Sequence, residues 1–464
     1  MKKIITDLNI GRSNSGLDMF CDLTLNEQHL YRMKCESFVA NLMKYIRLCM
    51  TGHREPKYWN TQYGERNITA INVKADGDVD ITVDNWIDYN GGNVQMLCIQ
   101  GVHGLEGLNG QFSIHEGETP YIHQRISRYN WRIKGIAPSV TGEWDGASGI
   151  GIGSYHKTEW WDSYQRMPLR WFPIIGTDDR PVKASDLCLP GYFKRGCNQG
   201  NVSLSSVLTD QKSSKFTISR PFTNESGVVK QIAEIGLKSA LYGNDMLMAR
   251  DILGSPVNLD HASTLSLDYE ILSEIENFNQ DTDLNGSNGG WTEQFMHALH
   301  RCANPNASHT YGVEWNLACG LGGGGTGISP GTSTNVHSWQ FGVRLGEDNK
   351  FVSMTDTNLT PDDNNKHGIS HGYEDGALVH HGMHIGDLVI DDVVNEVYFP
   401  VERIFENRGA NPITVREIGL YGNRTNSNAY SPRLLARRAL AEVDQFTIQP
   451  GESVKVGFNC KAVV

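Results

Sequence analysis

One block of this sequence occurs twice, and that constrains the fold more than any other feature. Phe216–Asn224 reads FTISRPFTN and is followed by Glu234-Ile235-Gly236-Leu237. Phe399–Asn407 reads FPVERIFEN and is followed by Glu417-Ile418-Gly419-Leu420. The spacing from arginine to glutamate is the same in both copies, with no gap. Beyond it, Leu247-Met248-Ala249-Arg250 matches Leu434-Leu435-Ala436-Arg437, after a longer loop in the second copy. Each copy closes on an alternating strand, Leu265, Leu267, Tyr269 and Val454, Val456, Phe458. Glycine clusters at 149–153 and 320–327 precede the two copies.

Side chains alternate along a strand, so Phe216, Ile218, Arg220 and Phe222 share one face, as do Phe399, Val401, Arg403 and Phe405. A guanidinium on an apolar face needs an acceptor. Glu234 and Glu417 are the expected acceptors, with Arg250 and Arg437 as second donors. The expected role is structural, an ion pair between strands that fixes register. The glycine of Glu-Ile-Gly-Leu predicts a bulge or a close backbone approach.

The rest of the chain is arranged around these blocks. From Glu27 to Met50 apolar residues recur at three and four, which predicts a long N-terminal helix ending at Gly52. From Ile68 to Arg132 the period drops to two. Asp76-Gly77-Asp78 and Asn109-Gly110 are hairpin signals there, so 60–135 reads as a small antiparallel β domain. Residues 277–290 read as a linker, and Trp291 to Ala303 as a short helix. A weaker match pairs Phe38 and Leu42 with Phe295 and Leu299, which makes the β domain an insertion in the first copy. The expected fold is mainly β, with two β-sandwich-like repeats, a small inserted antiparallel β domain and a long N-terminal helix. The expected boundaries are an N-terminal strand and helix segment at 1–58, the insert at 59–140, the first repeat at 141–275, linker and helix at 276–305, and the second repeat at 306–464.

Composition narrows the function classes. The 49 glycines among 464 residues follow no three-residue period, and 39% of residues are hydrophobic, so neither collagen nor a disordered chain fits. A net charge of −12 argues against generic duplex binding, which needs basic surface. No apolar run reaches the roughly 18 residues of a membrane span. Met1–Asp7 meets an acid before any apolar stretch, so no signal peptide is expected. Nine cysteines without a CxxC pair predict buried thiols.

The catalytic and ligand motifs are weak. Gly327–Gly331 and Gly368–Gly372 match the nucleophile-elbow pattern but lack its strand and helix flanks. Gly322, Gly324 and Gly327 are followed by Ser329-Pro330 and not by a dinucleotide-binding helix. Asp281 and Asp283 begin a calcium-loop pattern whose glutamate falls one position late, at Glu293; a flexible acidic linker is expected. His380 and His384 lead a histidine group with His367, His371 and His381. Such spacings can bind zinc, but glycines interrupt every helical face, and an exposed loop is expected. Trp144, Trp160, Trp161 and Trp171, with Glu143, Asp145, Glu159 and Asp162 nearby, read as a core or interface group, with a glycan surface as the alternative. No cofactor and no catalytic residue is expected.

The repeated string, with its upstream glycine cluster and closing strand, resembles a β module of tailed-bacteriophage structural proteins. Ile99–Gly104 with Leu108–Phe112 resembles small β domains of phage tail and fibre proteins, and the stretch Ser37–Asn41 resembles the start of such chains. The resemblance covers most of the sequence. It implies a non-enzymatic virion component, most readily of the tail or neck, assembled in the host cytoplasm. Its partners would be other virion proteins and copies of itself. The alternative is a receptor- or glycan-binding fibre or decoration protein. The resemblance transfers no catalytic residues.

Overall fold

The computed structural model describes residues 1–10, 16–35, 42–43, 46–47, 60–63, 68–84, 94–99, 102, 105, 108, 110–113, 121–125, 129–134, 152–157, 170–183, 186, 189–194, 196–241, 244–275, 278, 288–304, 342–348, 352–360, 368–391, 393–423 and 432–463. The chain is mainly β, in several sheets.

Each repeated block divides between two sheets. The arginine strand of the first block, Ser213–Asn224, pairs antiparallel with its closing strand, Thr264–Glu274. The arginine strand of the second, Glu396–Glu406, pairs in the same way with Ser453–Val463. Arg220 sits opposite Leu267 and Arg403 opposite Val456, the same register in both. The glutamate strands Lys230–Leu241 and Glu417–Asn423 lie in other sheets. Each is flanked by a strand ending in glycine, Arg170–Gly176 or Gly342–Gly346. On its other side each pairs with the strand that carries Arg250 or Arg437.

The N-terminus joins the blocks. Lys2–Ile10 runs parallel to Ser453–Val463, from Lys2 opposite Val454 to Ile10 opposite Ala462. Gly16–Leu25 runs antiparallel to Thr264–Glu274. One sheet therefore runs from the first arginine strand, through both N-terminal strands, to the second. Lys2–Ile10 and Gly16–Leu25 are interior rungs of this sheet, and among the described residues Gln28–Cys35 pairs with Gly16–Leu25 alone. Phe216, Phe222, Leu267, Ile235, Phe399, Val456 and Ile418 all belong to one buried core. Burying a side chain of this size stabilises by about 1.5–3 kcal/mol.

The expected long helix is corrected at its start. Gln28–Cys35 is a strand, antiparallel to Gly16–Leu25. Asn26 (φ 46°) and Glu27 (φ 68°) both turn left-handed, which a two-residue hairpin requires. The apolar spacing here suits a helix, but a ready strand partner overrides it. Leu42, Met43, Ile46 and Arg47 are helical, and the first three enter the main core.

The insert has its own core, built on Val79, Ile81, Leu108, Trp131 and Ile133. The turn at Asp76–Asp78 forms as expected: Gly77 has φ 85°, and the Asp78 amide donates to Asp76 Oδ1 at 3.0 Å. Of the expected Asn109-Gly110 turn, Asn109 lies outside the described residues and Gly110 is already in a strand. Gly110 pairs with Ile99. One contact, Ser113 opposite Tyr121, is parallel. Asn60–Tyr63 joins this sheet to the first block through Asn244 and Asp245, and Ile152–Lys157 belongs to it as well. The sheet therefore runs past residue 140 and is continuous with the first block.

The end of the expected linker is also a strand, Asn288–Trp291, paired with Pro432–Ala439. Its glycines serve close packing: a Cβ on Gly289 would lie 2.5 Å from the Arg437 carbonyl oxygen. The expected short helix forms over Glu293–Ala303, with Trp291 stacked on Phe295 at 4.0 Å. No helix among the described residues is long and apolar enough to cross a membrane. Cys21, Cys35 and Cys460 are buried and Cys197 is half-buried, and none of these four is in a disulfide.

Candidate functional site

The repeated charges build two buried clamps. In the first, Glu234 is fully buried opposite Gly176. Its Oε2 accepts from Arg250 Nε at 2.8 Å, and its Oε1 from the Gly191 amide at 2.6 Å. Arg250 also donates to Asp186 Oδ2 at 2.9 Å and to the Arg180 carbonyl at 2.9 Å. The segment leaving Gly176 is thereby folded over the glutamate strand, and Thr177 bonds back to the Gly191 carbonyl at 2.9 Å.

The second clamp repeats this contact by contact. Glu417 is fully buried opposite Gly346. Its Oε2 accepts from Arg437 Nε at 2.7 Å, and its Oε1 from the Thr360 amide at 2.6 Å. Arg437 donates to Asp356 Oδ2 at 2.5 Å. Glu347 bonds back to the Thr360 carbonyl at 3.0 Å. The glycines are required because a Cβ on Gly176 or Gly346 would lie 2.3 or 2.1 Å from the carboxylate.

The expected pairing of Arg220 with Glu234 and of Arg403 with Glu417 is overturned. Ile235, Leu237, Ile418 and Leu420 enter the main core. By alternation, Glu234 and Glu417 point out of the opposite face of their strands, away from the arginine strands. Arg220 donates instead to the carbonyls of Gly200 at 3.0 Å and Pro173 at 3.3 Å, beside the Phe172 and Phe222 rings. Arg403 donates to the Val343 carbonyl at 3.0 Å. Pro173 and Val343 precede Gly176 and Gly346 by the same number of residues, so each arginine ties its strand to the same place in the other sheet. The parity that assigned the arginines would also have assigned the glutamates, had it been applied to Glu-Ile-Gly-Leu. The glycine of that motif is a close approach, as expected: a Cβ on Gly419 would meet Leu359 Cδ1 at 2.9 Å, and one on Gly236 the Ala249 carbonyl oxygen at 3.0 Å.

One further pair of residues carries weight that the sequence reading left unassigned. Asn224 Nδ2 donates to the carbonyls of Val228 and Leu259, both at 2.7 Å. Asn407 Nδ2 donates to those of Asn411 at 2.8 Å and Ile448 at 2.9 Å. The signal was present: an asparagine ends the repeated string in both copies.

Burial pushes the Glu234 carboxyl up to about 7, with the Arg250 guanidinium opposing the rise. Burial likewise raises Glu417, against Arg437. Both oxygens of each carboxylate are engaged and covered. The arrangement therefore fastens segments together and presents no open acid or base.

Among the described residues the remaining candidates do not converge. Trp144, Trp160, Trp161, Asp281 and Asp283 lie outside the described residues. Trp171 is a buried core side chain and offers no surface to a glycan. The histidine segment is not an exposed loop: Val379–Ile385 is a strand on Glu396–Glu406. A register shift between His380 and Met383 turns the two histidines to opposite faces. His380 is buried against Phe405, while His384 is exposed, so they share no metal.

Compared with known proteins, the chain matches no family model, no curated protein and no solved structure.

Proposed function

We propose that this protein is a non-enzymatic structural component of a tailed-phage virion, in the tail or neck, built on two β-sandwich-like repeats. The resemblance of the repeated string to a phage β module supplies the class. The observation that carries the reading is the paired clamp. In both blocks the recurring glutamate and arginines are spent on holding sheets and covering segments together, as suits a part that must keep its shape within an assembly. Large, aromatic-rich contacts between many copies are the usual companion of such a role.

Locating the protein in intact particles tests this. Antibody labelling and mass spectrometry of purified virions should find it at the tail or neck. Its absence from particles would overturn the reading.

A further inference from the structure

The strand that ends the large sheet on the second-block side is covered at its start by a short segment. Val379–Ile385 lies at the end of that sheet, beside Glu396–Glu406. Ser370, His371 and Gly372 fold back along the residue that enters it. His371 bridges Leu378 in parallel, the Gly372 amide donates to the Leu378 carbonyl at 3.1 Å, and the Leu378 amide to the Ser370 carbonyl at 3.0 Å. The His380 amide, two residues on, donates to a side chain: it meets His371 Nδ1 at 3.0 Å. An imidazole thus completes a cover that backbone groups begin.

A backbone amide can only donate, so His371 Nδ1 carries no proton and the ring proton sits on Nε2. An imidazolium has a proton on both nitrogens and accepts nothing. Protonation therefore removes this bond and sets two N–H groups against each other.

The charge would also be poorly placed. His371 is half-buried against the His380 ring, 5.3 Å away, and that ring packs on Phe405. Arg403 on Glu396–Glu406 and Arg344 on Gly342–Gly346 are both buried and both oppose a positive charge on His371. His381, which meets Glu406 at 3.2 Å, opposes it as well, and Glu374 on the covering turn favours it. Burial first, and then Arg403, hold the imidazole below its ordinary 6.5.

We propose that His371 is an acid-opened fastener: on gaining a proton it lets Ser370–Gly372 part from Leu378 and His380. Opening bares backbone groups at a sheet edge, the kind of surface on which a further strand pairs. The closed form binds the proton less well than the open form. Closure is therefore fully present above about 6.5 and is lost as pH falls below it. The inference goes beyond the virion reading and does not depend on it.

Hydrogen exchange of the full chain at about pH 7.5 and about pH 5.5, corrected for the intrinsic rates, tests this. The amides of Gly372, Leu378 and His380 should lose protection in acid, by up to about tenfold for each pH unit below the ordinary histidine value. Thr264–Glu274 should keep its protection. In His371→Asn the side-chain oxygen can stand where Nδ1 stood and does not titrate, so the three amides should stay protected at both pH values. Equal protection at the two pH values in the wild-type chain, or an acid loss in His371→Asn as large as in wild type, would overturn the proposal. If the variant does not fold, nitrogen NMR of the wild-type chain labelled at histidine decides. His371 should carry its proton on Nε2 at neutral pH and titrate below 6.5. A proton on Nδ1, or titration at or above that value, would overturn the proposal equally.

Discussion

Arg250 Nε lies 2.8 Å from Glu234 Oε2, and both side chains are out of solvent. Arg437 and Glu417 repeat the relationship at 2.7 Å. Removing one partner of such a pair strands a buried charge, at a cost of about 3–5 kcal/mol. Arg250→Met and Arg437→Met should each lower stability by that order in chemical denaturation. In a double-mutant cycle, Glu234→Leu with Arg250→Met should cost less than the sum of the single changes. Additive effects would mean the two side chains are not coupled.

The pair also sets a pH dependence. Glu234 rises from its ordinary 4.5 to about 7 on folding. Between those values the folded chain holds a proton that the unfolded chain releases. Stability from this group is thus fully present below about 4.5 and is lost as pH rises towards about 7. Glu234→Gln, measured by thermal melting across this window, should flatten the fall. A slope identical to wild type would assign the dependence to other groups.

Gly346 faces the Glu417 carboxylate with no room for a methyl group. Alanine in a strand ordinarily gains about 0.5–1 kcal/mol over glycine. Here the sign should reverse, with Gly346→Ala destabilising by about 1–3 kcal/mol through overpacking. Equilibrium unfolding in urea reads the sign directly.

Asn407 bonds two carbonyls at one end of the second block. Asn407→Ala leaves them without this donor and should cost about 1–3 kcal/mol. Hydrogen exchange should show the loss in the connection 407–412 and its neighbour Ile448 before the rest of the sheet. Uniform loosening would place its role elsewhere.

Arg403 ties the arginine strand to the Val343 carbonyl. Arg403→Met keeps most of the apolar stem and removes the donor, so melting should fall while the clamp at Glu417 stays closed. A melting temperature equal to wild type would remove the strap as a source of stability.

Several features were legible along the chain because they depend on neighbours a few residues apart. Alternation in Phe216–Phe222 and Phe399–Phe405 placed the right side chains in the core, and Asp76-Gly77-Asp78 formed its hairpin. The helix Glu293–Ala303 followed its spacing to within two residues. Gln28–Cys35 did not, because its apolar spacing served either structure and the adjacent strand Gly16–Leu25 took it as a partner. His380 and His384 were expected in an exposed loop, but Val379–Ile385 is a strand whose register shift turns them to opposite faces, and no local residue type announces such a shift.

By itself the sequence determined that two equivalent β blocks exist, which residues each buries, and that a glutamate and arginines recur in fixed places. Only the tertiary structure decided which arginine meets which glutamate, and that Lys2–Ile10 lies beside Ser453–Val463 at the far end of the chain. The reason is physical. Periodicity along a strand sets the face a side chain takes, because that follows from backbone geometry alone. The partner across a face is chosen by how whole sheets close over one another, where burial outweighs loop-closure entropy that grows only slowly with separation.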